Sequence, residues 1–493
     1  MAIAIAVLGC LVGLFDRSLA FHDEIINTNK ALESVVLDYA MRPVFFLLNI
    51  VALKLFGNHT YSLVIMSVMS VTITALVLYQ ICTRYLSASM GVLCVVAYVG
   101  VNMVRYWGVR AMAHGHAGMF MMVSIYLALR CFDANDPRKQ RWFGALAGLM
   151  AMVSFSTHPT LAGYVVALCS WAGITWIASL SQFSRSSVIS RPLRPTLWIG
   201  IGVVLGLVIL MIVYAFWYHE SYFTAWWKFA RIPQGTEEAR EYSLYYVGTM
   251  LWRGALPSVF LILSFLIVGI HAITTTGKSK AVGSSTRRFA MYMSLYCLVI
   301  TVAMSSLNQW KHGRILVSYV PLLALSFAFY AAAAKDVLAG WLSAGLAHRI
   351  TLLAALLFVT AAVANVTHYT AKTSRASFHR RHQGFLSMYE ALRNVTDTRV
   401  GLLVKRGTLG TQRAFVDSAG LTSVPLASLE EVLTMPPNEL VLHLGEHRVR
   451  YVFLDLEHAT TKERQQLSSS LRKVGGNMLF RWRGIRELWF VER

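Results

Sequence analysis

Apolar residues fall along this chain in long blocks separated by short polar breaks. The blocks lie near 2–15, 61–81, 88–104, 116–131, 142–157, 160–179, 196–217, 252–272, 289–306, 315–334 and 350–367. A helix needs about 20 mostly apolar residues to cross a bilayer, so this pattern predicts about 11 spans. Two breaks are long, 16–60 and 217–251. Within the first, residues 43–56 are apolar but too few to cross, which predicts a half-buried or re-entrant helix. The second is rich in Trp and Tyr, as expected of chain lying in a membrane interface.

The short breaks at 130–141, 180–195, 273–288 and 335–349 hold Arg130, Arg138, Lys139, Arg141, Arg185, Arg191, Arg194, Lys278, Lys280, Arg287, Arg288, Lys335 and Arg349. Basic residues in short loops mark the cytoplasmic side. With the N-terminus inside, span parity puts all four loops there and turns 16–60 and 217–251 outward. Composition agrees. Only 14% of residues are charged and mean hydropathy is +0.53, whereas a soluble domain carries about 25% charged residues. The net charge of +21 therefore belongs to membrane orientation, and the expected partner is a lipid bilayer, not nucleic acid. The run Ala2–Leu14 lacks a basic n-region and a cleavage site and reads as a first span. Four of the six cysteines (Cys10, Cys94, Cys169, Cys297) lie in apolar blocks and Cys82 and Cys131 at span ends, a pattern that says nothing of disulfides.

Beyond 370 the pattern changes. Residues 372–395 read as a basic amphipathic helix on the outer surface, with Arg375, His379, Arg380, Arg381 and His382 facing lipid headgroups. RVGLLV, VRYVFLDL, NMLFRWRG and RELWFVE alternate as strands, separated by polar helical runs. The expected organisation is a transmembrane domain over 1–370 and an extracytoplasmic α/β domain over 371–493, long enough to hold its own core.

Four stretches carry a resemblance. His22-Asp23-Glu24 follows the first span; Arg42-Pro43-Val44-Phe45-Phe46 runs through to Phe56-Gly57; Tyr245-Tyr246 precedes Leu256-Pro257; and Gly313-Arg314-Ile315 leads to Val320-Pro321-Leu322-Leu323-Ala324. In this order, over roughly residues 1–370, the chain resembles the polytopic GT-C glycosyltransferases, near the aminoarabinose transferase and protein O-mannosyltransferase branch. It departs from them at Met41, where a Glu is frequent, and in the loop before the fourth span, where Arg110 and His114-Gly115-His116 replace an acidic residue. The resemblance implies an α-helical polytopic membrane fold of GT-C type and an inverting transfer of a hexosyl or pentosyl unit. The donor would be polyprenyl-phosphate-linked and the acceptor a glycan, lipid or protein outside the membrane.

Such a transfer needs a carboxylate to deprotonate the acceptor and cations to hold the departing phosphate. The resemblance gives Asp23 the base role; the plainer reading is a helix N-terminal acid favoured by the dipole. Glu24 supports it or is structural. Arg42 and Arg314 match the family's basic positions, with Lys311 and His312 beside the latter, and Arg110, His114 and Glu220 complete the candidate substrate-binding set. Against each single cation stands ordinary snorkelling at a span end. His114 and His116, two apart, do not share a helix face, and no Cys or well-spaced carboxylate completes a zinc-like set. No metal ligand is assigned, although a divalent metal remains open as a cofactor. The rival functions are a lipid or sugar transporter and a non-catalytic cell-envelope assembly protein.

Overall fold

The computed structural model describes residues 42–56, 60–101, 103–104, 108, 110, 112–181, 190–218, 221–222, 224, 255–274, 292, 299, 317–374, 399–404, 422–425, 435–446, 448–455, 461–482 and 486–491. They belong to two compact units that divide between residues 372 and 373.

The first unit is helical: α1 (Pro43–Phe56), α2 (Thr60–Tyr85), α3 (Ala88–Gly100), α4 (Ala113–Asp133), α5 (Pro137–Thr157), α6 (Ala162–Ser181), α7 (Ser190–Tyr218), α8 (Ala255–Thr274), α9 (Val320–Trp341) and α10 (Ala344–Ser374). Among the described residues, five helices are long and apolar enough to cross a membrane: those over 62–85, 113–133, 195–216, 320–341 and 345–365. Helices suit this environment because they satisfy their backbone polar groups internally. Their outward faces are apolar, as at Leu197, Val204, Ile212 and Phe216 on α7 and Leu353 and Leu357 on α10. This is a polytopic helical membrane fold.

Inside it, α4 is the axis. Ser124 Oγ donates to the Ala147 carbonyl at 2.6 Å and Ser154 Oγ to that of Ala117 at 2.7 Å, which fixes α5 antiparallel to α4. Tyr164 OH on α6 donates to Ser124 Oγ at 2.7 Å. Helix α5 meets α7 through glycines: a Cβ added at Gly148 would lie 2.1 Å from the Ile199 carbonyl oxygen, and one at Gly202 2.1 Å from that of Ala145. Backbones this close leave no room for a side chain, the small-residue packing common between membrane helices. Helix α3 stops at Gly100, short of the expected 104, because Asn365 Nδ2 on α10 donates to the Gly100 carbonyl at 3.1 Å and satisfies an otherwise open helix end.

The second unit contains β1 (Arg399–Val404), β2 (Thr422–Pro425), α11 (Pro437–Glu446), β3 (Tyr451–Asp455), α12 (Thr461–Lys473), β4 (Gly476–Trp482) and β5 (Arg486–Val491). The strand order is β2-β1-β3-β5-β4. Strand β1 runs parallel to β2 and β3, while β5 is antiparallel to both β3 and β4. Leu440 and Leu444 of α11 and Leu467 and Leu471 of α12 pack on Val452, Leu454, Trp489 and Val491 of the sheet. Glu487, fully buried, accepts a hydrogen bond from Trp489 Nε1 at 2.8 Å. The expected basic helix over 372–395 lies mostly outside the described residues.

Candidate functional site

The polar side chains that are hardest to bury converge on the first turns of α4. The residues leading into α4 are folded tightly against it: a Cβ at Gly115 would come within 2.9 Å of the Gly108 carbonyl oxygen, so only glycine fits there. Arg110, 5% exposed, precedes the helix, and its carbonyl accepts from the Met112 amide at 2.7 Å. His114, His116, His158 and Ser318 are buried around the same turns.

His114 and His116 diverge, as their spacing requires. The His114 ring lies 4.3 Å from that of His158, centroid to centroid. His158 caps the 3-10 turn Pro159–Leu161: the Thr160 amide donates to its Nδ1 at 3.3 Å, with Thr160 Oγ1 2.7 Å from the same atom. An Nδ1 that accepts leaves the ring proton on Nε2. The start of α9 joins the cluster, because Ser318 Oγ donates to the His114 carbonyl at 3.0 Å and Tyr319 OH to that of Thr160. Gly118 admits this approach, since a Cβ there would stand 3.1 Å from the Ser318 carbonyl oxygen. His116 turns the other way, toward α2. Its Nδ1 is 2.6 Å from Ser70 Oγ and its Nε2 3.4 Å from Ser67 Oγ. Both serines also bond back to the carbonyls of Leu63 and Met66, four residues earlier. Nδ1 makes the shorter of the two contacts.

Helix α1 closes the site. Arg42 is its first capping residue, with its carbonyl accepting from the Phe46 amide at 3.1 Å, and Pro43 occupies the position where a missing N–H costs nothing. Phe45 and Phe46 pack on Ala113, and the Phe45 ring lies 5.8 Å from that of His116. Residue 45 thus sits level with residues 67–70 of α2, while Phe56 is only four residues from Thr60. Helix α1 therefore runs back along the first half of α2, and its 14 residues are shorter than a membrane span. One further polar group on this helix is anomalous. The Asn49 carboxamide is fully buried, and neither its oxygen nor its nitrogen bonds to any described residue. Such a group costs about 1–3 kcal/mol.

Three of the candidate site residues, Arg42, Arg110 and His114, are therefore gathered about the start of α4. Asp23, Glu24, Glu220, Lys311, His312 and Arg314 lie outside the described residues. His116, His158, Ser318 and Asn49 join the site without having been singled out as ligand-binding; the signal that was available is that each is a polar residue inside or bordering an apolar block, a place where polar groups are expensive and commonly functional. Among the described residues, no three His, Cys, Asp or Glu side chains stand close enough to hold a metal ion.

No family model matches the sequence, and no curated protein sequence matches it. Solved structures do. The crystal structure of ArnT from Cupriavidus metallidurans bound to undecaprenyl phosphate superposes with a TM-score of 0.59 at 10% identity, covering 99% of this chain and 97% of that one. Apo ArnT gives 0.65 at 11% identity, covering 99% and 96%. The archaeal oligosaccharyltransferase AglB from Archaeoglobus fulgidus, in complex with an inhibitory peptide and a dolichol-phosphate, gives 0.55 at 11% identity, covering 100% and 74%. The chain shares the fold of ArnT and AglB. At these identities the likeness is one of backbone, and the side chains about α4 must be judged on their own chemistry.

Proposed function

We propose that this protein is an integral membrane glycosyltransferase that moves a hexosyl or pentosyl unit from a polyprenyl-phosphate donor to an acceptor outside the membrane. The observation that carries the reading is the buried cluster at the start of α4, with Arg110 and Arg42 beside it, in a chain whose fold is that of ArnT, which binds undecaprenyl phosphate. Arginine suits a lipid phosphate, which it can meet with paired N–H donors, while the lipid tail stays in the bilayer.

In this reading Asp23 takes the proton of the acceptor hydroxyl as its oxygen attacks the anomeric carbon. The bond from that carbon to the phosphate oxygen breaks, and polyprenyl phosphate leaves with the electron pair. Arg42 and Arg110 stabilise the charge that develops on the phosphate, joined by Lys311, His312 and Arg314; Glu24, His114 and Glu220 contact the sugar or acceptor. The cytoplasmic placement of the basic loops, about 11 spans and an extracytoplasmic α/β domain after residue 370 belong to the same proposal. The test is transfer by the full-length protein reconstituted in liposomes containing undecaprenyl-phosphate glycosides. Asp23→Asn is expected to abolish transfer while leaving donor binding and melting as in the wild type. Undiminished transfer by that variant removes Asp23 from the base role, and no transfer by the wild type from any donor favours a transporter or an assembly protein.

A further inference from the structure

Helix α1 sets one buried amide beneath a largely apolar exterior. Its outward residues, Leu47, Val51 and Leu55, are apolar and exposed, at spacings of four. Its buried face carries Phe45, Phe46, Ile50 and Leu53, and in the middle of that face stands Asn49, while half-buried Arg42 precedes the helix. Asn49 lies about two helical turns beyond Arg42. An apolar exterior over a polar interior suits a lipid-embedded element that guards a polar site. The packing gives Asn49 no reason to be an asparagine, because no described residue bonds to its amide.

Resting on the reading of this protein as a polyprenyl-phosphate glycosyltransferase, we infer that Asn49 is a specificity-determining residue that recognises the glycosyl head of the donor. A carboxamide offers an N–H donor and a C=O acceptor side by side, the pattern that pairs with a hydroxyl or another amide. The sugar is rich in such groups. The polyprenyl tail has none, and a phosphate offers acceptors only. Arg42, at the start of the helix, suits the phosphate, and Asn49 about two turns further on suits the sugar. The amide is fully enclosed in the unliganded form, so recognition takes place as α1 moves off its neighbours. The unpaired amide weakens the closed packing and eases that step.

The test uses the full-length protein in lipid nanodiscs, comparing wild type, Asn49→Leu and, as a smaller replacement, Asn49→Ala. Undecaprenyl phosphate and its pentose and hexose glycosides serve as probes. Asn49→Leu is nearly the same size and removes an unsatisfied amide, so its melting temperature is expected to equal or exceed that of the wild type. Its affinity for bare undecaprenyl phosphate should hold, while its preference for the best glycoside falls about tenfold or more. Retention of glycoside preference in both variants overturns the inference and leaves the amide as a site for ordered water. Marked destabilisation by Asn49→Leu also overturns it, since the amide would then have a structural partner. A wild type that binds neither undecaprenyl phosphate nor any glycoside refutes the glycosyltransferase reading itself, and Asn49's role with it.

Discussion

The two ends of the helical unit are built on opposite principles. At one end, around the start of α4, Arg110, His114, His116 and His158 are buried and meshed with the serines of α2 and α9. At the other, where α2 and α4 finish and α5 begins, Arg138, Lys139 and Arg141 are exposed, and Arg84 meets Asp133 with its side chain 46% in solvent. Charge at the second end is cheap: it remains hydrated, stacks on aromatic rings as Arg141 does on Trp198 at 5.4 Å, and suits the positive-inside pattern. Polar groups at the first end have given up water, and evolution retains such groups where they do chemistry or binding. The difference separates charges that keep their water from polar groups that have lost it.

The sharpest way to break this comparison is to truncate one arginine at each end. Arg110→Ala is expected to lower transfer by about 100- to 1000-fold, the usual loss when a donor to a developing oxyanion is removed. Arg138→Ala should leave transfer unaltered and shift stability by no more than about 0.5 kcal/mol. Equal effects in a liposome transfer assay would erase the distinction between the ends. Next in size is the seam that holds the ends in register. Gly148→Ala forces a methyl group against the Ile199 carbonyl, and backbone cannot yield as a side chain does. A loss of about 1–3 kcal/mol is expected, read as a lower melting temperature of the purified protein. A variant as stable as wild type would mean that α5 and α7 are free to separate.

How much of this was legible follows the same division. The exposed end was written in the sequence, because positive charge in short loops needs only counting. Helix α1 was legible too, since 14 apolar residues ending at Phe56 are too few to cross and Arg42-Pro43 starts a helix by its own chemistry. Strands β1, β3, β4 and β5 announced themselves by alternation. Strand β2 did not: it is four residues at a sheet edge ending in Pro425, and it forms only because β1 offers it a partner. The buried cluster was the least legible. His114 pairs with a ring 44 residues later and His116 with serines 46 and 49 residues earlier, so local spacing could say only that the two histidines face apart. Tertiary packing decides what each one meets.

That packing gives a third, smaller prediction. Ser70→Ala removes the hydroxyl that His116 Nδ1 meets and leaves a buried ring nitrogen open, with an expected loss of about 1–3 kcal/mol. Thermal melting checks it, and a second-site change of His116→Leu in the same protein should recover part of the loss by removing the orphaned group. No recovery would show that the imidazole has another use, such as holding Phe45 and through it the start of α1.

The smallest effect tests the exposed end from within. Asp133 Oδ2 has two partners: Tyr85 OH, which is half-buried and donates at 2.5 Å, and Arg84 Nε at 3.4 Å. A formal ion pair and a neutral hydrogen bond thus compete for one oxygen, and exposure decides between them. Water screens the arginine, and a pair of this kind contributes about 0.2–1 kcal/mol. The phenol is shorter, straighter in its role and better shielded, and its bond to a charged acceptor belongs at about 1.5 kcal/mol. Tyr85→Phe should therefore destabilise the protein more than Arg84→Ala, and only the arginine's contribution should shrink on raising salt. If Arg84→Ala proved the costlier change, charge at this end would be holding the helices together as well as orienting them, and the contrast with the buried end would narrow to one of degree.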